Sequence, residues 1–275
     1  MHVFGPFDRF PVAAAPAYAL PDADRRRHAE TLTALGFENA LLIQPSPYGA
    51  DQRAMLDTIE RSGGRFRGIG SCDPTASLEA LQDLRDRGIV GLRFVAMTGP
   101  GGGSYPGTQG LNSWTSLRAR MADARLHAQL WADAATCAKA AQEAAARGAT
   151  LVLDHLAGLG PDDRPGTWSF DRIADAVAGD HVWIKLTWFR RSRCGGDYGD
   201  MEAVVRALAE RAPTRILWGS DWPFVRVGQV PEPATLIEQL HSWLGSDGFV
   251  RCLRDNPRML LGSGGDALDD STVDQ

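Results

Sequence analysis

The feature that most constrains the fold is a repeated alternation of short apolar segments with longer amphipathic ones. Seven apolar segments are each followed by a helical pattern, with a repeat of roughly 25–35 residues, as βα units require. Such alternation favours a parallel sheet covered by helices. A stub at residues 2–4 brings the number of units to eight. Eight units in 275 residues predict an α/β protein of the (β/α)8 TIM-barrel type.

An open, doubly wound sheet is the alternative architecture. It is less well supported, because no glycine-rich phosphate-binding motif follows any strand. We expect residues 1–262 to form one barrel domain and residues 263–275 to form a disordered acidic tail.

The stub at residues 2–4 is too short for a complete strand, so strand 1 is predicted to be largely missing. Either the chain begins late, through a misassigned or trimmed start, or it is a variant without this strand. The first interpretation is favoured because a barrel lacking one strand leaves two open edges.

Composition excludes several classes of protein. The chain is 44% hydrophobic and 23% charged with a net charge of −5, and it contains no basic tract for nucleic acid or anionic membrane. Its four cysteines are far apart, which argues against a disulfide framework or zinc knuckle. No apolar run reaches the roughly 18 residues of a membrane span. These features predict a cytoplasmic protein.

The strongest functional signal is a carboxylate at the end of the last strand. An apolar run over residues 216–218 stops at Gly219, and Asp221 follows next to Trp222. A poorly solvated carboxylate must be stabilised by hydrogen bonds, a cation or a metal, or its pKa rises. Asp221 is therefore a candidate base for taking a proton from water. The alternative is an aspartate that caps the next helix.

Other polar side chains stand at or near the ends of predicted strands, where catalytic groups of barrel enzymes lie. His2 and His155 are candidates, although a single histidine there is more often a packed residue than a ligand. Arg93 and Lys185 interrupt apolar strands. A buried cation needs an anion, which is either an acidic substrate or a protein group such as Asp73.

Further candidates come from tryptophans and from an arginine cluster. Three tryptophans are placed to form walls of a pocket: Trp131, Trp188 and Trp222. The loop after the strand at 182–187 carries Arg190, Arg191 and Arg193, which either form a solvated face or reach an acidic substrate. The glycine-rich stretch over residues 99–110 is either a mobile active-site loop or a linker.

Several motifs together resemble the amidohydrolase superfamily. The similarity is collinear from residue 2 to about residue 262, and the motifs are His2-Val-Phe-Gly-Pro6, Val152-Leu-Asp-His155, Trp218-Gly-Ser-Asp-Trp-Pro223 and Asn256-Pro257. They are most similar to the family-2 branch, which includes pyrone dicarboxylate lactonase, sulfomuconolactone hydrolase and sugar lactonases. This resemblance implies a (β/α)8 barrel that hydrolyses an ester or lactone at the strand ends.

The resemblance also implies roles for individual residues. His2 matches the second histidine of the H-x-H motif, His155 the histidine ending strand 6 and Asp221 the aspartate ending strand 8. Arg93 matches an arginine that holds a substrate carboxylate in the pyrone lactonase. The resemblance and the strand-end candidates together give seven predicted substrate contacts: Arg93, Tyr18, Ser46, Lys185, Arg190, Trp131 and Trp222. Two departures stand out: the first histidine of H-x-H is absent, and Phe224 replaces the histidine of the family's W-P-H-P.

The predicted activity is hydrolysis of the lactone of a small carboxylated or polyhydroxylated molecule. Asp221 acts as general base, while His2 and His155 polarise the carbonyl. The lactonase branch works without metal, so no cofactor is expected. If a divalent zinc or manganese ion is bound, His2, His155 and Asp221 are its ligands.

Two other functions are compatible with the sequence. One is a metal-dependent decarboxylase of an aromatic or enoic acid, and the other is a degenerate barrel that binds a ligand without catalysis. In each case the expected partner is a small molecule, with no nucleic acid or membrane. The protein is expected to be a monomer or a homodimer.

Overall fold

The computed structural model describes residues 1–13 and 15–262, so the predicted tail at 263–275 lies outside the described residues. All seven predicted strands are present. They are β1 (Ala40–Ile43), β2 (Phe66–Gly70), β3 (Ile89–Val95), β4 (His127–Trp131), β5 (Leu151–Leu153), β6 (Val182–Leu186) and β7 (Ile216–Trp218).

Helices alternate with these strands throughout. They are α1 (Arg25–Ala34), α2 (Arg53–Glu60), α3 (Leu78–Asp86), α4 (Leu111–Asp123), α5 (Ala134–Ala146), α6 (Trp168–Val177), α7 (Glu202–Arg211), α8 (Pro233–Val250) and α9 (Asn256–Leu261). Local chemistry sets several of the boundaries. The side chains of Asp24, Ser77 and Asp133 accept hydrogen bonds from backbone N–H groups at the starts of α1, α3 and α5. These N–H groups have no partner within their own helix. Helix α8 is interrupted at Gly245, whose φ is +66° and therefore favours glycine.

The strands form one parallel sheet in the order β1-β2-β3-β4-β5-β6-β7. Each strand pairs with its sequence neighbour, which is the connectivity of a (β/α) barrel and not of a doubly wound sheet. The predicted TIM-barrel fold is confirmed. No helix in the described part of the chain is long and apolar enough to cross a membrane.

The strand register sorts side chains onto two faces, because successive residues of a strand point in opposite directions. One row of paired residues belongs to the large core between sheet and helices: Leu130, Leu153, Ile184 and Ile216. The neighbouring row faces the barrel interior: Arg93, Gln129, Val152 and Trp183. Leu260 of α9 packs against Val152, Trp183 and Leu217 and closes an apolar layer inside the barrel.

The N-terminal segment replaces the missing strand only in part. The carbonyl of Met1 accepts a hydrogen bond from the backbone N–H of Ile43 at 2.8 Å, and the N–H of His2 donates to the carbonyl of Trp222 at 2.8 Å. Residues 1–4 therefore bridge the space between β1 and β7 without forming a strand, as predicted. A cavity of about 840 Å³ remains between these two strands and is lined by Met1, Lys185 and Leu217.

Candidate active site

Asp221 lies directly after β7 and is bound by two groups from other parts of the chain. Its Oδ2 accepts a hydrogen bond from Nε of Arg190 at 2.6 Å, and its Oδ1 lies 3.4 Å from Nε2 of His2. Burial alone would raise the pKa of Asp221, but the charge of Arg190 holds that pKa well below its usual range. The carboxylate is therefore ionised at neutral pH.

The second contact of His2 fixes its tautomer. Its Nδ1 lies 2.8 Å from the backbone carbonyl oxygen of Ile43, and a carbonyl can only accept, so Nδ1 carries the proton. Burial lowers the pKa of His2, although its contact with Asp221 opposes this. In the neutral ring, Nε2 is consequently a hydrogen-bond acceptor that faces the carboxylate of Asp221. His2 can donate from Nε2 only when the ring carries a second proton.

His155 approaches the same carboxylate from the end of β5. It has a positive φ of 49°, a strained conformation that such sites often contain, and its ring stands edge-on against Trp131 with 5.8 Å between centroids. Burial lowers the pKa of His155 to about 4, against the raising effect of the Asp221 and Asp154 charges. The imidazole is neutral near pH 7, and its Nδ1 has no hydrogen-bond partner among the described residues.

A buried ionic layer lies beneath these groups and is centred on Asp154. Its carboxylate contacts Nη2 of Arg93 at 3.1 Å, Nζ of Lys185 at 3.0 Å and Nε2 of Gln129 at 3.1 Å. The Asp154 side chain is 3% exposed. Burial would raise the pKa of Asp154, but the charges of Lys185 and Arg93 lower it further than burial raises it. Burial lowers the pKa of Lys185, and Asp154 counteracts that effect.

The suggestion that Asp73 pairs with Arg93 is wrong. Asp73 Oδ1 instead accepts hydrogen bonds from the backbone and hydroxyl of Thr75, which is a local turn contact. Arg93 and Asp154 are 61 residues apart, and only the pairing of β3, β4 and β5 brings them together.

The site carries a surplus of positive charge. Three cations, Arg93, Lys185 and Arg190, face two carboxylates, Asp154 and Asp221. Since both histidines have lowered pKa values, they do not add charge near neutral pH. A single negative charge from outside would balance the cluster, and such an anion would be attracted strongly in this poorly solvated setting.

Tyr18 and Ser46, two predicted substrate contacts, lie together at the mouth of the barrel. Burial raises the pKa of Tyr18 to about 12, while a hydrogen bond with Ser46 acts in the opposite direction. The pKa of Tyr18 also responds to the charges of Arg93 and Asp221. The phenol is therefore neutral near pH 7.

The three tryptophans predicted to form pocket walls lie in different surroundings. Trp131 borders the site, with the guanidinium carbon of Arg93 5.6 Å from its ring centroid. Trp188 is instead buried against Trp243 at 5.0 Å between centroids, because its helical turn packs it beneath α8. Trp222 directs its ring to His28, 5.8 Å away, and meets His2 through its backbone carbonyl.

Sequence reasoning missed four residues around the site: Asp154, Gln129, Tyr105 and Arg226. Asp154 directly precedes His155, so its position at a strand end was an available signal. Gln129 occupies an inward position of β4, two residues before Trp131. Tyr105 and Arg226 lie in loops, where no periodic pattern shows which way a side chain points.

The described residues do not fit a metal centre well. No group of three histidine, cysteine, aspartate or glutamate side chains in residues 1–13 and 15–262 has an arrangement that could hold an ion. The Arg190 guanidinium already binds one oxygen of Asp221 at 2.6 Å, and a cation at this position opposes a second one nearby. No catalytic step is therefore assigned to a metal, and the absence of a cofactor stays a prediction.

The chain is similar to proteins that are named as lactone hydrolases. It is 29% identical over 270 residues to 4-sulfomuconolactone hydrolase from Hydrogenophaga intermedia, covering 95% of this chain and 86% of the relative. It is 28% identical over 273 residues to 2-pyrone-4,6-dicarboxylate hydrolase from Comamonas testosteroni, covering 94% and 87%.

Solved structures share the fold. A putative 2-pyrone-4,6-dicarboxylic acid hydrolase from Pseudomonas putida superposes with a TM-score of 0.80 and 24% identity, covering 95% of each chain. The model of the amidohydrolase family matches residues 1–263, as the sequence motifs indicated. This protein therefore belongs to the amidohydrolase family.

Proposed function

We propose that the protein hydrolyses the lactone ring of a small anionic molecule. The observation that carries this proposal is the surplus positive charge of the site beside an ionised base, Asp221. The relatives named as lactone hydrolases act, by their names, on a sulfonated or a dicarboxylated lactone. An acidic lactone matches such a site in two ways. Its negative charge offsets the surplus positive charge, and its carbonyl is the group that a water activated by the base attacks.

The nucleophile in this proposal is a water molecule bound beside His2 and Asp221. Nε2 of neutral His2 and Oδ1 of Asp221 are both acceptors and lie only 3.4 Å apart, so the water lies to one side of the pair, donates one O–H to Oδ1 and directs the other toward Nε2. Its oxygen lone pairs then point away from the two acceptors, toward a bound carbonyl carbon. Asp221 takes the proton as the water attacks and returns it to the leaving oxygen when the ring opens.

His155 is the proposed hydrogen-bond donor to the carbonyl oxygen as negative charge develops there. A neutral imidazole donates through one ring nitrogen, and the pKa of about 4 keeps His155 neutral over the whole physiological range. The role expected of His2 therefore changes from polarising the carbonyl to orienting the water. Loss of one oxyanion donor typically reduces the rate about 10²–10³-fold.

A panel of lactones tests this function directly. Ring opening of 2-pyrone-4,6-dicarboxylate, 4-sulfomuconolactone and uncharged δ-valerolactone is followed by absorbance or pH-stat titration, and the metal content of the same sample is measured. The acidic lactones should be hydrolysed and δ-valerolactone should not. Asp221→Asn should lower kcat by about 10²–10⁴-fold without changing the circular dichroism spectrum.

Asp162→Asn is the matched control, because Asp162 is an exposed carboxylate bound to Arg193 at 2.6 Å. It should leave kcat unchanged. A fully active Asp221→Asn variant would remove the proposed mechanism. Turnover of an aromatic or enoic acid that chelators abolish and zinc or manganese restores would instead favour the metal-dependent decarboxylase suggested by the sequence. Ligand binding without turnover of any lactone would favour the non-catalytic barrel.

A further inference from the structure

The cavity between β1 and β7 opens at the amino ends of the strands. Three exposed residues of its lining stand just before a strand: Asn39 before β1, Arg65 before β2 and Arg87 before β3. The candidate base Asp221 lies at the opposite end of the sheet, after β7. A volume of about 840 Å³ falls within the roughly 300–1,000 Å³ of small-molecule sites. The cavity is therefore large enough to hold a ligand of its own.

One wall of this cavity is apolar and only partly buried. The rings of Phe37 and Trp218 stack with 5.6 Å between centroids and an interplanar angle of 28°, and both side chains remain partly exposed. Other partly buried apolar residues of the lining are Leu41, Val90, Leu253 and Leu260. Hydrocarbon bound against this wall would remove apolar surface from water, which is favourable.

The lining also carries a local surplus of positive charge. Among the described residues it contains seven cationic side chains but only two carboxylates, those of Glu60 and Asp86, although the whole chain has a net charge of −5. Arg65, Arg67 and Arg85 donate hydrogen bonds to main-chain carbonyls. In the described part of the chain none of these three guanidiniums forms an ion pair with a carboxylate.

The partners of these arginines distinguish the cavity from the candidate active site. Arg93 faces the carboxylate of Asp154, and Arg190 faces that of Asp221. Arg67 and Arg85 have neutral carbonyl partners instead. Because a guanidinium forms stronger hydrogen bonds with an ionised acidic group than with a neutral oxygen, these two arginines favour an anion at the mouth of the cavity.

We propose that the cavity between β1 and β7 binds one small anion with an elongated hydrocarbon body, of the kind that a medium-chain fatty acid represents. The hydrocarbon lies against the wall that contains Phe37, Trp218 and Leu260. The acidic head group is bound at the mouth by Arg67 and Arg85. This site takes a different class of ligand from the candidate active site and uses different side chains to bind it.

A ligand at this position contacts both segments that carry the central groups of the candidate active site. Met1 lines the cavity and directly precedes His2, while Trp218, Gly219 and Ser220 line it and lead into Asp221. A ligand that binds the folded protein and not the unfolded chain stabilises the fold. Occupation of the cavity should therefore raise the midpoint of thermal unfolding.

Calorimetry with decanoate tests the site without any lactone. Octanoate is shorter by two methylenes, and decyltrimethylammonium has the same chain length with a cationic head group. Each compound is titrated, below its micelle-forming concentration, into the wild-type protein and into Arg67→Met, Arg85→Met and Arg211→Met. Arg211 is the matched control, because it is an exposed arginine of α7 that binds Asp175 at 2.7 Å.

The wild-type protein should bind one decanoate per chain. Octanoate should bind about tenfold more weakly, because it buries two methylenes fewer, and decyltrimethylammonium should bind more weakly still. Arg67→Met and Arg85→Met should each reduce decanoate affinity by about tenfold, whereas Arg211→Met should leave it unchanged. Equal affinities for the anionic and the cationic compound, or no loss in either cavity variant, would overturn the proposal.

A variant of the apolar wall keeps the test independent of the arginines. Val90→Phe narrows the cavity without altering its charge, so it should weaken decanoate binding and reduce the rise in the unfolding midpoint. The circular dichroism spectrum of each variant shows whether it is folded. Unchanged decanoate affinity in a folded Val90→Phe variant would contradict the predicted position of the hydrocarbon.

Further measurements identify where decanoate binds. Asp221→Asn should not change its affinity, and a changed affinity would place decanoate in the candidate active site. Binding that appears only after removal of residues 263–275 would assign the cavity to that segment of the chain. Binding that is lost as the protein dimerises at higher concentration would assign it to a second copy. Each of these three results would overturn the ligand site, and none depends on whether the protein opens a lactone.

Discussion

Nε of Arg190 lies 2.6 Å from Oδ2 of Asp221, and Nη1 of the same guanidinium donates to the carbonyl of Val225 at 2.7 Å. The arginine thus joins the loop after β6 to the loop after β7 and binds the candidate base at the same time. Sequence reasoning assigned Arg190 to an acidic substrate. In the structure the Arg190 guanidinium forms an ion pair with Asp221, so a substrate anion would have to compete with that carboxylate for the guanidinium.

Arg190→Met should move the acidic limb of kcat/KM to higher pH. Asp221 loses the charge that lowers its pKa, and removal of a nearby opposite charge typically raises a carboxyl pKa by about 1–3 units. Arg190→Lys keeps the charge and should shift the limb less. A pH–rate profile of the wild-type protein and both variants measures this effect, and an acidic limb that stays in place would contradict the assigned pairing.

Asp154→Asn should destabilise the protein by about 3–5 kcal/mol, because it leaves Arg93 and Lys185 buried without a counter-charge. Urea unfolding measures the loss. The double variant Asp154→Asn, Lys185→Met should be more stable than Asp154→Asn alone, since one of the unpaired cations is gone. Asp162→Asn, at an exposed carboxylate, should change the free energy of unfolding by less than about 0.5 kcal/mol.

His28 should make stability depend on pH. Burial lowers its pKa from 6.5 to about 3, and both ring nitrogens are buried without a partner in the described part of the chain. Below pH 6.5 the unfolded chain therefore binds a proton that the folded protein does not. Stability falls as the pH decreases through this window, by about 2 kcal/mol at pH 5 for one such group.

His28→Phe removes this proton uptake and keeps the edge-on aromatic contacts with Phe66 and Trp222. The loss of unfolding free energy between pH 7.5 and pH 5 should then be smaller in the variant by up to about 2 kcal/mol. Urea denaturation at the two pH values measures the difference. Equal losses in both proteins would show that His28 is protonated in the folded state as readily as in the unfolded chain.

Asn256→Ala should destabilise β7, the strand at one edge of the sheet. The buried side-chain amide of Asn256 donates to the carbonyls of Pro213 at 3.0 Å and Ile216 at 2.8 Å, at the strand that borders the open cavity. Loss of these bonds should cost about 1–3 kcal/mol, measured by thermal or urea unfolding. Asn112→Ala, at an exposed position of α4, is the control and should be nearly neutral.

The local sequence determined the helices and strands, and it indicated that the candidate site lies at the carboxyl ends of the strands. The apolar run over residues 216–218 forms β7, and the strand predicted over residues 182–187 ends within one residue of β6. Hydrophobic periodicity and caps are short-range signals, so a single sequence contains them. Because parallel strands present their carboxyl ends at one face, the same signals brought His2, His155 and Asp221 to one site.

Only the tertiary structure decided which charges pair there. Arg93 binds Asp154 across 61 residues, and Arg226 binds Tyr105 across 121. Either carboxylate of the site could neutralise a buried arginine, and sequence patterns do not indicate which of the two pairs with it. The choice follows from strand register and loop paths, which fix distances of about 3 Å that no local pattern encodes.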